Sequence, residues 1–254
     1  MSKIGVAFSG GGSRCIAQLG VLQYLKECGV EISAVSGSSG GAIIAGLYAK
    51  GLEPKAILAV LNEIDYKSHL KYNFTNGTLY HLNKAIDDFQ TIFGSTNIED
   101  LNIPFFCTVT DYESGEEEYR TTGDLVTLML ASSALTPIFA PVRYENKIYI
   151  DGGFCDNLPS HPLREICDKV IGINVNPVGK YIKESFKAHY SRALLIMLHA
   201  NVRAGIKECD LLIEIREMGR YSIFDLKDFD HFFELGYNEA KKHKKNIERL
   251  LVDL

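Results

Sequence analysis

The sequence predicts an α/β domain: a mostly parallel central sheet flanked by helices on both faces. Three observations carry this. Short apolar runs recur along the chain, separated by stretches with helical spacing, a pattern that implies crossover connections between parallel strands. The first two runs each pass into a helix through a glycine-rich turn. No repeat, low-complexity segment or linker-like stretch interrupts the 254 residues, so 1–254 reads as one domain with length enough to bury a core.

The elements follow in order. Ile4 to Phe8 reads as a buried strand, and Ile16, Leu19, Leu22 and Leu25 mark a helix that Gly29 stops. Ile32 to Val35 is a second strand and Ala42 to Ala49 a second helix, closed by Gly51 with Pro54 shortly beyond. Residues 65–95 are less regular: Tyr66, His69, Tyr72, Phe74, Tyr80 and His81 surround the turn Asn76-Gly77. They are expected to form a surface excursion, with a lid over the site as the functional alternative. Phe105 to Val109 is a third strand, Leu125 to Ala131 a helix opened by Asp124, and Tyr149-Ile150 part of a fourth strand. Val170 to Val175 and Leu211 to Ile215 complete the strands.

Composition excludes several classes. A net charge of −5 leaves no basic stripe to neutralise phosphates, so nucleic acid is not an expected partner. The same charge disfavours electrostatic attraction to anionic lipid, so any transient contact with a membrane surface would be local and apolar. No run approaches the roughly 18 apolar residues of a membrane span, and the N-terminal run is too short for a secretion signal. Six scattered cysteines without a Cys-x-x-Cys pair suggest reduced thiols and a cytoplasmic protein, peripheral at membranes at most. Neither an acidic calcium loop nor a His/Cys cluster is present, so no metal or cofactor is expected.

Three segments carry chemistry. Gly37-Ser38-Ser39-Gly40-Gly41 places Ser39 at the centre of a Gly-x-Ser-x-Gly turn between strand and helix. That context lifts the hydroxyl out of the backbone as a nucleophile, at a helix N-terminus that favours a developing alkoxide. Asp151-Gly152-Gly153 offers a carboxylate at the end of an apolar run, with glycines that let the backbone approach Ser39. Gly10-Gly11-Gly12 lies between a strand and a helix, where backbone N–H groups can converge on an oxyanion. A dinucleotide loop would need a third glycine where Cys15 stands. Arg14 is an auxiliary candidate, for charge stabilisation, a phosphate headgroup or a structural ion pair. A histidine relay is not expected: Ser39 follows only the second strand, and His161 alone lies near a motif. Asp151 would then act alone, its pKa raised by burial. Asp156-Asn157 is the better candidate for capping the turn.

With these residues in place, the chain resembles the patatin-like phospholipase family, particularly its small bacterial members. The resemblance rests on Ser9-Gly10-Gly11-Gly12-Ser13-Arg14, Gly37-Ser38-Ser39-Gly40-Gly41 and Ala131-Ser132-Ser133-Ala134 followed by Pro137, Phe139 and Pro141-Val142. It continues through Asp151-Gly152-Gly153 and Asp156-Asn157-Leu158-Pro159, and Phe224 to Tyr237 is similar to the family's closing helix. Cys15 departs from the pattern, since members often carry glycine after the arginine. The resemblance implies a patatin-like fold and a lipid acyl hydrolase with a Ser-Asp dyad. Ser39 is the implied nucleophile, Asp151 the general base, and the backbone of Gly10, Gly11 and Gly12 the oxyanion hole, with Arg14 nearby. The implied substrates are fatty acyl esters of phospholipids or related lipids. A non-catalytic lipid- or partner-binding protein of the same fold, and a soluble esterase or thioesterase, are the competing readings.

Overall fold

The computed structural model describes residues 2–64, 82–178 and 185–252. Among these residues eight strands form one sheet: β1 (Ile4–Phe8), β2 (Ile32–Ser38), β3 (Phe105–Asp111), β4 (Glu117–Arg120), β5 (Val142–Tyr144), β6 (Lys147–Asp151), β7 (Lys169–Asn174) and β8 (Leu211–Glu214). The helices are α1 (Ile16–Glu27), α2 (Gly40–Ala49), α3 (Pro54–Glu63), α4 (Asn83–Phe93), α5 (Leu125–Ser132), α6 (His161–Arg164), α7 (Phe186–Lys207), α8 (Phe229–Lys242) and α9 (Lys244–Val252).

Strands β8, β7, β1, β2 and β3 are parallel neighbours in that order. The period-two alternation of β1 divides the two layers. Ile4, Val6 and Phe8 enter the larger core, built with α1 to α5 and α8. Ala7 joins Leu158, Leu163 and Val202 on the opposite face, under α6 and α7. Complete burial of side chains such as Leu19, Leu25 and Ile44 contributes roughly 1.5–3 kcal/mol each. Helices α1 and α8 cross almost backbone to backbone: a Cβ at Gly236 would lie 1.7 Å from the Ala17 carbonyl oxygen, and one at Gly20 2.0 Å from that of Phe233. Only glycine permits this approach.

The other half of the sheet is antiparallel, and it sets up the site. Thr108 of β3 pairs with Ser38 on one edge and Tyr119 on the other. Val109 and Thr110 pair with β4 and also with β6, so β6 runs along the edge that β2 has just left. Parallel β2 ends at Ser38 opposite Thr108, and antiparallel β6 ends at Asp151 opposite Val109. The two strands meet end to end on one edge of β3, and the residues emerging there are Ser39 and Asp151.

Several elements depart from the sequence reading. β4 is Glu-Glu-Tyr-Arg, a polar ribbon with no apolar alternation to reveal it. Pro54 does not merely follow a helix stop; it opens α3 at a first-turn position, where its missing N–H costs nothing. The excursion expected over 65–95 contains α4, whose Ala85, Phe89 and Phe93 share one buried face; residues 65–81 lie outside the described residues. Asp124 caps α5 as expected, accepting the Thr127 N–H at 2.8 Å. All six cysteines are unpaired. Among the described residues no helix is long and apolar enough to cross a membrane.

Candidate active site

Ser39 occupies the turn between β2 and α2 with φ 53° and ψ −131°, a positive-φ conformation that is strained for a non-glycine residue. The surrounding glycines are sterically required. A Cβ at Gly37 would sit 2.5 Å from the Gly41 carbonyl oxygen, and one at Gly41 2.5 Å from those of Phe8 and Ser9. A distant side chain holds the strained residue: the Ser39 N–H donates to Ser132 Oγ at 2.8 Å, and Ser132 Oγ donates to the Thr108 carbonyl at 2.5 Å. Ser132 is fully buried, so this relay ties the turn to β3 through α5.

Ser39 Oγ donates to Asp151 Oδ2 at 2.7 Å. The second carboxylate oxygen accepts the Gly153 N–H at 2.8 Å, capping a 3-10 turn over Gly152–Phe154. Thr110 Oγ1 donates to the Asp151 carbonyl at 3.0 Å, and the Asp151 N–H donates to the Ala134 carbonyl at 3.1 Å. The backbone of the aspartate is therefore clamped on both sides. Gly152 packs on β3, where a Cβ would meet the Thr108 carbonyl at 2.2 Å. From α7, Asn201 Nδ2 donates to the carbonyls of Gly153 and Phe154 at 3.0 and 2.6 Å. Asp151 is 3% exposed. Burial raises its pKa to about 6, while hydrogen bonds from Ser39 and Gly153 hold it from rising further.

The glycine loop is divided in its use. The Gly10 N–H donates to the Asn157 carbonyl at 3.1 Å, and the Gly10 carbonyl accepts from Asn176 Nδ2. Gly11 and Gly12 line the cavity beside Ser39, and among the described residues no acceptor is found for their N–H groups. Gly12 has φ 57°, and a Cβ there would lie 2.2 Å from the Ile223 carbonyl oxygen. Ser9 and Gln18 anchor the loop from below: Ser9 Oγ accepts the Val175 N–H at 3.0 Å, and Gln18 Nε2 donates to the Ser9 carbonyl at 2.9 Å.

Other candidates fall into different roles. Among the described residues Arg14 makes no ion pair; its buried guanidinium donates from Nε to the Tyr221 carbonyl at 2.9 Å and again from Nη2. It joins the glycine loop to segment 221–223, and burial lowers its pKa to about 10. The Cys15 thiol lies where a Cβ on Gly40 would be 2.9 Å away, and burial pushes its pKa far up, leaving it protonated. His161 is exposed beside Glu165 at 3.8 Å and does not line the cavity. Asp156 does the capping expected of it, accepting from the Leu158 N–H at 3.1 Å and the Tyr119 hydroxyl at 2.9 Å.

Ser39 and Asp151 open onto an apolar cavity of about 300 Å³. Ile43 and Ile44 of α2, Phe89 of α4, Leu198 of α7 and Phe224 and Phe229 near the C-terminus are among its walls. The arrangement can polarise a hydroxyl toward a buried carboxylate, offer two N–H groups to an oxyanion, and solvate a hydrocarbon chain. Sequence reasoning quoted Ser132 and Asn157 within motifs without giving either a role in the site. Ser132's partners lie 93 and 24 residues away, so no local spacing reveals them.

The model of the patatin-like phospholipase family matches residues 6–164. The chain is similar to lysophospholipase nte1 of Neurospora crassa, 30% identical across 96% of this chain and 18% of that protein. It is also similar to lysophospholipase nte1 of Emericella nidulans, 25% identical with the same coverage. The chain thus spans less than a fifth of the length of these curated relatives. In fold it is similar to VipD from Legionella pneumophila, with a TM-score of 0.56 and 16% identity over 96% of this chain and 67% of that one. The family model covers more than half of the chain and all three glycine-bearing segments around Ser39 and Asp151, and on that ground the chain belongs to the patatin-like phospholipase family.

Proposed function

We propose that this chain is a serine-dependent lipid acyl hydrolase working through Ser39 and Asp151. The observation that carries the reading is the 2.7 Å contact between the Ser39 hydroxyl and the buried Asp151 carboxylate at the wall of an apolar cavity. Asp151 takes the hydroxyl proton as Oγ attacks an ester carbonyl. Its raised pKa makes it a stronger base than a free carboxylate, and direct contact removes the need for an imidazole. The N–H groups of Gly11 and Gly12 stabilise the tetrahedral oxyanion; Gly10 supports them from a backbone already bonded to Asn157. Arg14 is auxiliary, holding the loop against Tyr221.

The substrate is a fatty acyl ester of a phospholipid or related lipid. The apolar walls support an acyl chain, and the cavity lies at the small end of the ~300–1,000 Å³ range of ligand pockets. That size favours a single chain, and the relatives' name, lysophospholipase, supports the same choice. Transient membrane contact is supported by Phe224 and Leu226, which line the cavity yet are 46% and 39% exposed. The domain spans the chain; from the stretch expected as an excursion or lid, α4 walls the cavity with Ala85 and Phe89, while residues 65–81 lie outside the described residues.

The test is hydrolysis of p-nitrophenyl butyrate and laurate by wild type, Ser39→Ala and Asp151→Asn. Both variants should fold and lose roughly 10⁴-fold or more in kcat. In wild type, kcat/KM should rise as pH increases through about 6 and level off above it, because only ionised Asp151 serves as base. Retained turnover in folded Ser39→Ala would remove the proposal.

A further inference from the structure

The side chain of Asn157 is completely buried, and neither Oδ1 nor Nδ2 has a hydrogen-bond partner among the described residues. Whichever way the amide is turned, both of its polar ends are unanswered by protein. A buried amide left in that state carries an uncompensated desolvation cost, and native proteins rarely keep one without a use for it. Its position indicates the use. Asn157 lines the cavity and lies between the glycine loop and the aspartate loop. A Cβ at Gly10 would be 2.3 Å from Asn157 Oδ1 and 2.9 Å from Ser39 Cβ. A Cβ at Gly153 would be 2.6 Å from the same Oδ1 and 3.1 Å from Asp151 Oδ1. The amide thus flanks the nucleophile and the base together.

We infer that Asn157 is a further catalytic residue, whose side-chain amide holds the water that cleaves the acyl-enzyme. The inference rests on the Ser39–Asp151 reading and deepens it. An oxyanion or an ester oxygen only accepts hydrogen bonds and so could satisfy Nδ2 alone. Water both donates and accepts, and so answers either end of the amide. In the step assigned here, the water donates one hydrogen to Asp151 and the other to Asn157 Oδ1, which aims its oxygen at the acyl carbon. The new C–O bond forms as the first proton passes to Asp151. The tetrahedral intermediate then collapses, the C–Oγ bond breaks, and that proton passes from Asp151 to Ser39 Oγ, releasing the fatty acid.

The experiment compares wild type, Asn157→Ala and Asn157→Ser on p-nitrophenyl butyrate by stopped flow and by intact-protein mass. If Asn157 serves deacylation, acylation persists while hydrolysis stalls. The variants should release a burst of p-nitrophenol, accumulate butyrylated Ser39, and show kcat and KM falling together by roughly 10²-fold, with kcat/KM nearly unchanged. A fall in kcat/KM without acyl-enzyme would assign the amide to the oxyanion, and unchanged kinetics would make it structural; either outcome overturns the inference. So would failure of both variants to fold, which would make the amide a support of the loop. Wild type that turns over without ever acylating Ser39 would instead sink the Ser39–Asp151 reading itself, so the two failures are distinct.

Discussion

The turn around Ser39 and the loop from Asp151 to Asn157 meet at one edge of β3, yet they are held by different means. The Ser39 turn is fixed largely by close backbone: a side chain at Gly37 would strike the Gly41 carbonyl, and one at Gly41 the Phe8 and Ser9 carbonyls at the end of β1, each at 2.5 Å. From outside the turn, Ser132 accepts the Ser39 N–H and Asp151 accepts the Ser39 hydroxyl. The Asp151 loop shares one such contact, Gly152 against the Thr108 carbonyl at 2.2 Å, and hydrogen bonds do the rest. It is held by Thr110 of β3, the Ala134 carbonyl beyond α5, Asn201 of α7 and Tyr119 of β4. Ser39, the proposed nucleophile, is thus presented mainly by steric exclusion, and Asp151, the proposed base, mainly by a set of long-range hydrogen bonds. The first device either closes or fails, whereas the second can be weakened in steps.

The sharpest way to break the comparison is Gly41→Ala. The added methyl has no room against the Phe8 and Ser9 carbonyls, and the loss should be about 3 kcal/mol or more in urea unfolding, with hydrolysis reduced to background. A Gly41→Ala protein of normal stability and activity would show that the turn is less constrained than its geometry implies.

Beyond its loss of turnover, Asp151→Asn should have the next largest effect on stability. The folded-state pKa of about 6 lies above the unfolded value of ~3.9, so the native state binds the proton more tightly. Wild-type stability should therefore fall as pH rises from about 4 to about 6, by roughly 2–3 kcal/mol, and stay lower above that. Asp151→Asn lacks this slope. Its stability relative to wild type should be greater at pH 8 than at pH 4, as measured by paired denaturation curves. A difference that does not change with pH would mean that burial does not shift the carboxyl.

The smallest effect should come from Asn201→Ala, which removes one strut of several. Freeing the Gly153 and Phe154 carbonyls should cost about 1–2 kcal/mol, with hydrolysis lowered and the pH midpoint unmoved. A loss as large as that of Gly41→Ala would contradict the idea that the supports of the Asp151 loop act in parallel.

Much of the site was legible because its rules are local. Ser39 could be identified from five residues since Gly-x-Ser-x-Gly between a buried strand and a helix has few other conformations. The parallel strands were legible as short runs buried on both faces. β4 was not, because Glu117 to Arg120 form a polar edge ribbon whose partner is chosen by β3. Arg14 illustrates the same limit: its residue type promised charge chemistry, yet its partner is the Tyr221 carbonyl, 207 residues away.

The α/β class, the glycine loop and the aspartate at a strand end follow from periodicity and sterics within a few residues, and so does the serine turn apart from its contacts with the end of β1 and with Ser132. Only the tertiary structure decided that β6 runs antiparallel into the end of β2 and brings Asp151 within 2.7 Å of Ser39. It also decided that Gly10 lends its N–H to Asn157, and that the Asn157 amide is buried between the two loops without a partner among the described residues. Those outcomes depend on which distant backbone groups compete for each hydrogen bond once the chain is packed, and that competition has no period in the sequence.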